Sequence, residues 1–150
     1  MRVLLKFGLQ CSADAAWRAL ASPAVFRAVS APFTTFTSGE LNGFPQSWPA
    51  GEHPVTAFAF GVIPVGEQVI DISFEERDGA RIVHDDGGGV SGPLALARDW
   101  HHSMAVSASA DGRTLYRDEL RFAGPVILWP VFWAFWQWRG WRLRTLAPRW

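Results

Sequence analysis

The sequence predicts an α+β fold. A curved antiparallel sheet of six or seven strands wraps one long C-terminal helix, and two short helices follow the first strand. Three observations carry this. Alternating apolar and polar segments follow one another through Asp78-Gly79 and Asp111-Gly112, dipeptides that favour tight hairpins. No helical pattern of roughly 10–15 residues separates these segments, which excludes a parallel sheet built from crossover units. The alternation then stops, and a Trp-rich helical pattern fills the remainder. At 150 residues, about half of them hydrophobic, the chain suits one domain spanning 1–150 with a core of ordinary size.

The elements read in order. Val3, Leu5, Phe7 and Leu9 alternate with Arg2, Lys6 and Gln10, a half-buried strand over 2–10. Ser12 is placed to cap a helix from Ala13 to about Ala21, with Asp14 where the helix dipole favours an anion. Ser22-Pro23 opens a second helix to about Ser30. Phe33–Ser38 reads as a short strand. Gly39–Pro54 reads as a loop, and its Phe44 and Trp48 suit an ordered lid. Strands are expected at Thr56–Phe60, Gln68–Glu76, Arg81–Asp86, Leu94–Ala108 and Thr114–Phe122. GVIPVG (61–66) reads as a turn and Gly87–Pro93 as a flexible loop. Gly124-Pro125 opens the last helix, expected to reach about residue 146.

Bulk properties exclude several functions. Fourteen acidic and fourteen basic residues give zero net charge, against a nucleic-acid partner, which needs a basic face. Cys11 is the only cysteine, so neither an internal disulfide nor a zinc motif is expected, and no metal or cofactor is assigned. The apolar run Val3–Leu9 is short and broken by Lys6, unlike an export signal; a cytoplasmic setting is expected.

The order of elements, with SADAAWRALASP (12–23), GVIPVG (61–66), DWHH (99–102), RTLYRDELRFAGP (113–125) and RGWRLR (139–144), resembles the START-like (SRPBCC) superfamily, especially its polyketide cyclase/dehydrase-like branch. The resemblance covers nearly the whole chain and is one of pattern. It implies a helix-grip fold with a hydrophobic ligand cavity. Members include lipid carriers, hormone binders, aromatases and cyclases, so the resemblance does not fix an activity.

Turn chemistry sets which side chains face that cavity. A two-residue turn at Asp111-Gly112 would leave both faces of the last hairpin mixed. A three-residue loop, Ala110-Asp111-Gly112, puts Trp100, His102, Met104 and Val106 on one face with Tyr116, Asp118, Leu120 and Phe122. The same loop length at Arg77-Asp78-Gly79 aligns Ile70, Ile72 and Phe74 with Ile82, His84 and Asp86. The expected inner face then carries His84, Asp86, His102 and Asp118 among apolar neighbours, with His102 and Asp118 diagonal and in reach of a hydrogen bond. Such a set either handles the polar end of a ligand or satisfies itself as a buried network.

Six of the nine tryptophans, Trp129, Trp133, Trp136, Trp138, Trp141 and Trp150, lie in the final segment. Phe122–Trp138 is uncharged, and Arg139, Arg142, Arg144 and Arg149 follow it. Pro125 and Pro130 interrupt this run, and it is shorter than the roughly 20 residues of a spanning helix. The stripe Trp129, Trp133, Trp136, Gly140 and Leu143 suits a helix seated in a concave sheet. Aromatics on its other sides leave open whether the chain is a monomer or a homodimer, and leave peripheral membrane contact open.

Three functions of different classes follow. The first is binding of a hydrophobic or aromatic small molecule, as carrier or sensor, by Phe74, His84, Asp86, Trp100, His102, Met104, Tyr116, Asp118, Trp133 and Trp136. The second is a cyclase or dehydratase acting on a polyketide-like substrate, with His102 as base, Asp118 orienting it and Tyr116 donating a hydrogen bond. The third is an interaction protein using the Trp- and Arg-rich helix.

Overall fold

Strand β1 (Arg2–Leu9) buries Val3 and Leu9 and leaves Arg2 and Leu4 outside, as alternation requires, in the computed structural model, which describes residues 1–150. Helix α1 (Ala13–Leu20) begins where the Ser12 hydroxyl accepts from the Ala15 N–H at 3.2 Å. Helix α2 (Pro23–Ser30) repeats the device, Ser22 accepting from Val25 at 3.3 Å. Then come β2 (Thr34–Ser38), β3 (Gly51–Ala59), β4 (Ile63–Arg77), β5 (Ala80–Asp85), the two-residue β6 (Gly88–Gly89), β7 (Arg98–Ala108) and β8 (Thr114–Ala123), and last helix α3 (Leu128–Leu146).

All pairings are antiparallel. The sheet runs β1-β8-β7-β5-β4-β3-β2, with β6 attached to β4, and does not close. The helix-grip arrangement expected from the sequence is present. One buried cluster gathers Leu9, Phe36, Ile70, Val83, Tyr116 and Leu143; a second gathers Val3, Trp100, Leu120, Phe122 and Trp136.

Several local expectations are corrected. GVIPVG is not a turn: the chain reverses at Phe60–Val62, and β4 already includes Ile63 to Gly66. The register slips between Ala57 and Phe58, a bulge that bends β4 beside Pro64 and Gly66. Gly66 has φ +129°, and a Cβ there would collide with the backbone of Ser91, so only glycine fits. Gly51–Pro54 belongs to β3 rather than to the loop. The remainder of that loop is tied down: Trp48 N–H donates to the Ala21 carbonyl at 2.7 Å, and His53 pairs with Glu40 at 2.7 Å. Leu94–Leu96, expected as strand, belongs instead to a 3-10 turn over Gly92–Leu96 opened by Pro93. The Gly124-Pro125 turn precedes α3, which starts at Leu128.

The two hairpins differ in loop length. Ser109 N–H donates to the Arg113 carbonyl at 2.8 Å across the three-residue loop Ala110-Asp111-Gly112, and His102 lies opposite Leu120 and Met104 opposite Asp118, as expected. At the other hairpin Arg77 pairs directly with Ala80. The loop is only Asp78-Gly79, both left-handed (φ +53° and +74°), the two-residue turn whose twist matches its strands. Pairing therefore moves by one. Val83 and Asp85 turn to the face of Ile70 and Ile72, and His84 and Asp86 turn to the opposite face.

Candidate functional site

Between the sheet and α3 lies a cavity of about 530 Å³, lined by 33 residues of which 25 are hydrophobic. The sheet contributes Phe36, Ala57, Ile70 and Ile72, with Trp100, His102 and Met104 from β7. The cavity is sized for a drug-like or lipid-like molecule. Its lining residues Phe33, Pro93, Val131 and Ala134 are exposed, so its opening lies among them. The Gly87–Pro93 loop thus reaches the mouth. Trp48, the lining residue from the Gly39–Pro54 loop, is a buried wall.

Helix α3 presents two apolar stripes. Trp136, Gly140 and Leu143, at intervals of four and three, pack on the sheet. A Cβ on Gly140 would sit 3.0 Å from Leu5 Cδ1 and 3.2 Å from Phe7 Cε1, so a larger residue there would push those side chains aside. Leu128, Phe132, Phe135 and Arg139, at intervals of four, three and four, line the cavity. Trp129 and Trp133 continue the sheet-packed stripe but are 41% and 47% exposed, which corrects the expectation for Trp133. At this end the helix overhangs the edge strand. The Trp129 indole bonds the Arg2 carbonyl at 3.0 Å, and Trp133 stacks on Trp129 instead of lining the cavity.

A polar network closes one wall. Asp118, 2% exposed, accepts three hydrogen bonds: from His102 Nε2 at 2.9 Å and Trp136 Nε1 at 2.8 Å on Oδ1, and from Tyr116 Oη at 2.5 Å on Oδ2. A carboxylate only accepts, so His102 holds its proton on Nε2 here. Burial alone would raise Asp118. The charge and hydrogen bond of His102, the charge of Arg139 and the Tyr116 hydroxyl outweigh it, and the carboxyl is held below its usual range. Burial and the neighbouring Asp118 push Tyr116 well above the usual phenol range.

Asp85 is the other inner carboxyl. It faces the cavity directly across from His102 on β7, and its Oδ1 accepts from the N–H of Asp71 at 3.0 Å and of Gly87 at 3.2 Å. Burial raises it, offset only partly by His102 and those N–H groups. Two buried side-chain polar atoms have no partner, and both belong to the cavity lining: Trp100 Nε1 and Arg139 Nε. The Trp100 indole is near enough to Asp85 to lower it slightly but lies outside bonding geometry. Arg139, 5% exposed, rests 4.8 Å over Trp136 and 6.0 Å over Phe135. No three His, Cys, Asp or Glu side chains come together as a metal site.

The ten residues expected to bind ligand therefore divide. Trp100, His102, Met104 and Trp136 line the cavity. Tyr116 and Asp118 sit behind it, so Tyr116 has no free hydroxyl to offer a substrate. Phe74 lies outside it, edge-on to Trp17. His84 bonds Glu75 at 2.9 Å and Asp86 bonds His101 at 2.9 Å, both away from the cavity. Sequence reasoning missed Asp85, because the two-residue hairpin was passed over. It also missed Arg139, taken as a basic flank, although Leu128, Phe132, Phe135 and Arg139 share one helical face in the sequence itself.

No protein-family model matches the chain, and no curated protein does. Solved structures do. CV1439 from Chromobacterium violaceum is 14% identical, with TM-score 0.69 over 98% of this chain and 96% of that one. MLL2253 from Mesorhizobium loti is 14% identical, with TM-score 0.68 over 99% and 98%. The Aha1 dimer from Colwellia psychrerythraea is 9% identical, with TM-score 0.63 over 99% and 96%. At such identities the likeness is one of fold. No helix is long and apolar enough to cross a membrane.

Proposed function

We propose that this chain is a START-like domain that binds a hydrophobic or aromatic small molecule between sheet and helix, as a carrier or sensor. The observation that carries this is the 530 Å³ cavity with its largely apolar lining. Interiors are ordinarily close-packed and unfilled volume is destabilising, so a void of this size in a fold of 150 residues favours an occupant. An environment-sensitive apolar dye should brighten on binding the folded protein and be displaced by an apolar aromatic competitor. Native mass spectrometry of freshly purified protein should find a retained ligand. Absence of both sinks the proposal.

One observation favours a cyclase- or dehydratase-type enzyme as a second reading. His102 lines the cavity and is oriented from behind by Asp118, the relation of a general base to its positioning carboxylate. This reading expects the protein to accelerate solvent deuterium exchange at the acidic C–H of a bound aromatic ketone, read by NMR. His102→Gln should abolish the acceleration while the ketone still binds. Exchange at the uncatalysed rate removes the enzyme and leaves the carrier.

A further inference from the structure

The cavity is apolar but not electrically neutral in its demands. Arg139 projects from the cavity stripe of α3, is almost wholly buried, and forms no ion pair within 4.0 Å. Its Nε has no acceptor. A guanidinium does not shed its charge by deprotonating, so burial leaves it cationic with an unused donor. The faces of Trp136 and Phe135 stabilise the charge but accept no N–H in the plane of the fork.

Every acidic group facing the cavity is otherwise engaged. Asp118 feels the Arg139 charge through space, but its hydrogen bonds are made with His102, Tyr116 and Trp136 and it forms no ion pair with Arg139. Asp85 is held by backbone N–H groups, and burial favours its neutral form. The second unpartnered atom in the lining, Trp100 Nε1, is again a donor, and Trp100 packs on the same Trp136 ring as Arg139, centroids 6.0 Å apart. Two orphan donors flank one indole inside a pocket of aromatic and aliphatic side chains. That arrangement lacks an anionic acceptor attached to an apolar body.

Resting on the cavity reading above, we infer that the ligand is an apolar carboxylic acid, its carboxylate seated on Arg139 and its hydrocarbon or aromatic body in the cavity. A carboxylate matches the planar guanidinium fork, and the charge-assisted bonds it forms are stronger when water is excluded. The uncharged body fills the space beneath Leu128, Phe132 and Phe135. The neutral ester of the same acid keeps the body and loses the pairing.

The test titrates the protein at neutral pH with dansyl-undecanoic acid and, separately, its methyl ester, following dansyl emission. The acid should bind about tenfold or more tighter than the ester. In Arg139→Met the acid should weaken to the level of the ester, while the ester holds its affinity. Arg139→Lys, which keeps a cation, should retain part of the preference. Equal binding of acid and ester by the unaltered protein overturns the carboxylate assignment and leaves the cavity reading standing. An acid preference that persists in Arg139→Met also overturns it, since another cation, such as Arg142 or Arg144, then holds the acid. Binding of neither probe by the folded protein overturns both readings. The comparison on the unaltered protein decides the matter even if a variant fails to fold.

Discussion

The two halves of the space beneath α3 are built from similar residues and solved in opposite ways. Under Trp136, Gly140 and Leu143 the helix presses on the sheet so closely that a Cβ on Gly140 would crowd Leu5 and Phe7, and the buried Asp118 carboxylate has three donors. Beside Leu128, Phe132 and Phe135 the packing is looser: Phe132 meets Phe122 and Trp100, yet all three side chains also line the cavity, and two N–H donors there lack acceptors. A single stripe would have served for packing alone. The second stripe explains why aromatics surround this helix, and it adds cavity-facing side chains to a lining that Trp136 and Leu143 of the first stripe also border.

The largest expected effect tests that division. Trp136→Ala removes a 1% exposed indole and a donor to Asp118, and should destabilise the fold by about 3–5 kcal/mol in urea denaturation. Phe135→Ala, one residue earlier on the cavity stripe, should cost about 1 kcal/mol, because it enlarges a void already present. Equal losses would mean that the two halves are packed alike and that the division is wrong.

A smaller effect is expected within the closed half. Asp118→Asn keeps the shape but turns one accepting oxygen into a donor facing His102, Trp136 or Tyr116, and should cost about 2–3 kcal/mol. The pH dependence has a definite sign. Asp118 titrates lower folded than unfolded, so its contribution is complete above the ordinary carboxylate range and is lost as pH falls through the depressed folded value. Asp118→Asn should flatten the acid limb of a stability–pH curve. An unchanged acid limb would show that Asp118 is not what the acid limb reports.

The closed half was legible in the sequence and the open half only in part. Alternation along Thr114–Ala123 separates Tyr116, Asp118, Leu120 and Phe122 from Arg117, Glu119 and Arg121 cleanly, so one register alone made sense and the His102–Asp118 pair followed. Strand β5 offers no such separation. Ile82 and Val83 are adjacent and both buried, so hydrophobicity does not say which faces inward. Only the preference of Asp-Gly for a two-residue turn carried that information. The cavity was anticipated from the resemblance and not from any residue pattern, because an unfilled volume is set by distances between elements that sequence does not encode locally. Arg139 went unread because an arginine after an aromatic run suggests a solvated flank, whereas here it is the last member of a buried stripe.

The smallest expected effect concerns Asp85 and runs opposite to that of Asp118. Its folded pKa is raised by burial, so between the ordinary carboxylate range and the raised folded value the folded state holds the proton more tightly than the unfolded one. Stability contributed by Asp85 therefore falls as pH rises through that window. Asn in its place can accept the same N–H groups of Asp71 and Gly87 through its carbonyl oxygen. Asp85→Asn should thus be as stable as the native chain at neutral pH or more stable by up to about 1 kcal/mol, with the difference vanishing on acidification. Urea denaturation across a pH series reads both features. If instead Asp85→Asn loses stability at neutral pH, the Asp85 carboxyl is held by a stabilising partner that Asn cannot satisfy, with His102 directly across the β5–β7 pairing. The open half would then have a closed polar network of its own, and the contrast between the two halves would narrow to volume alone.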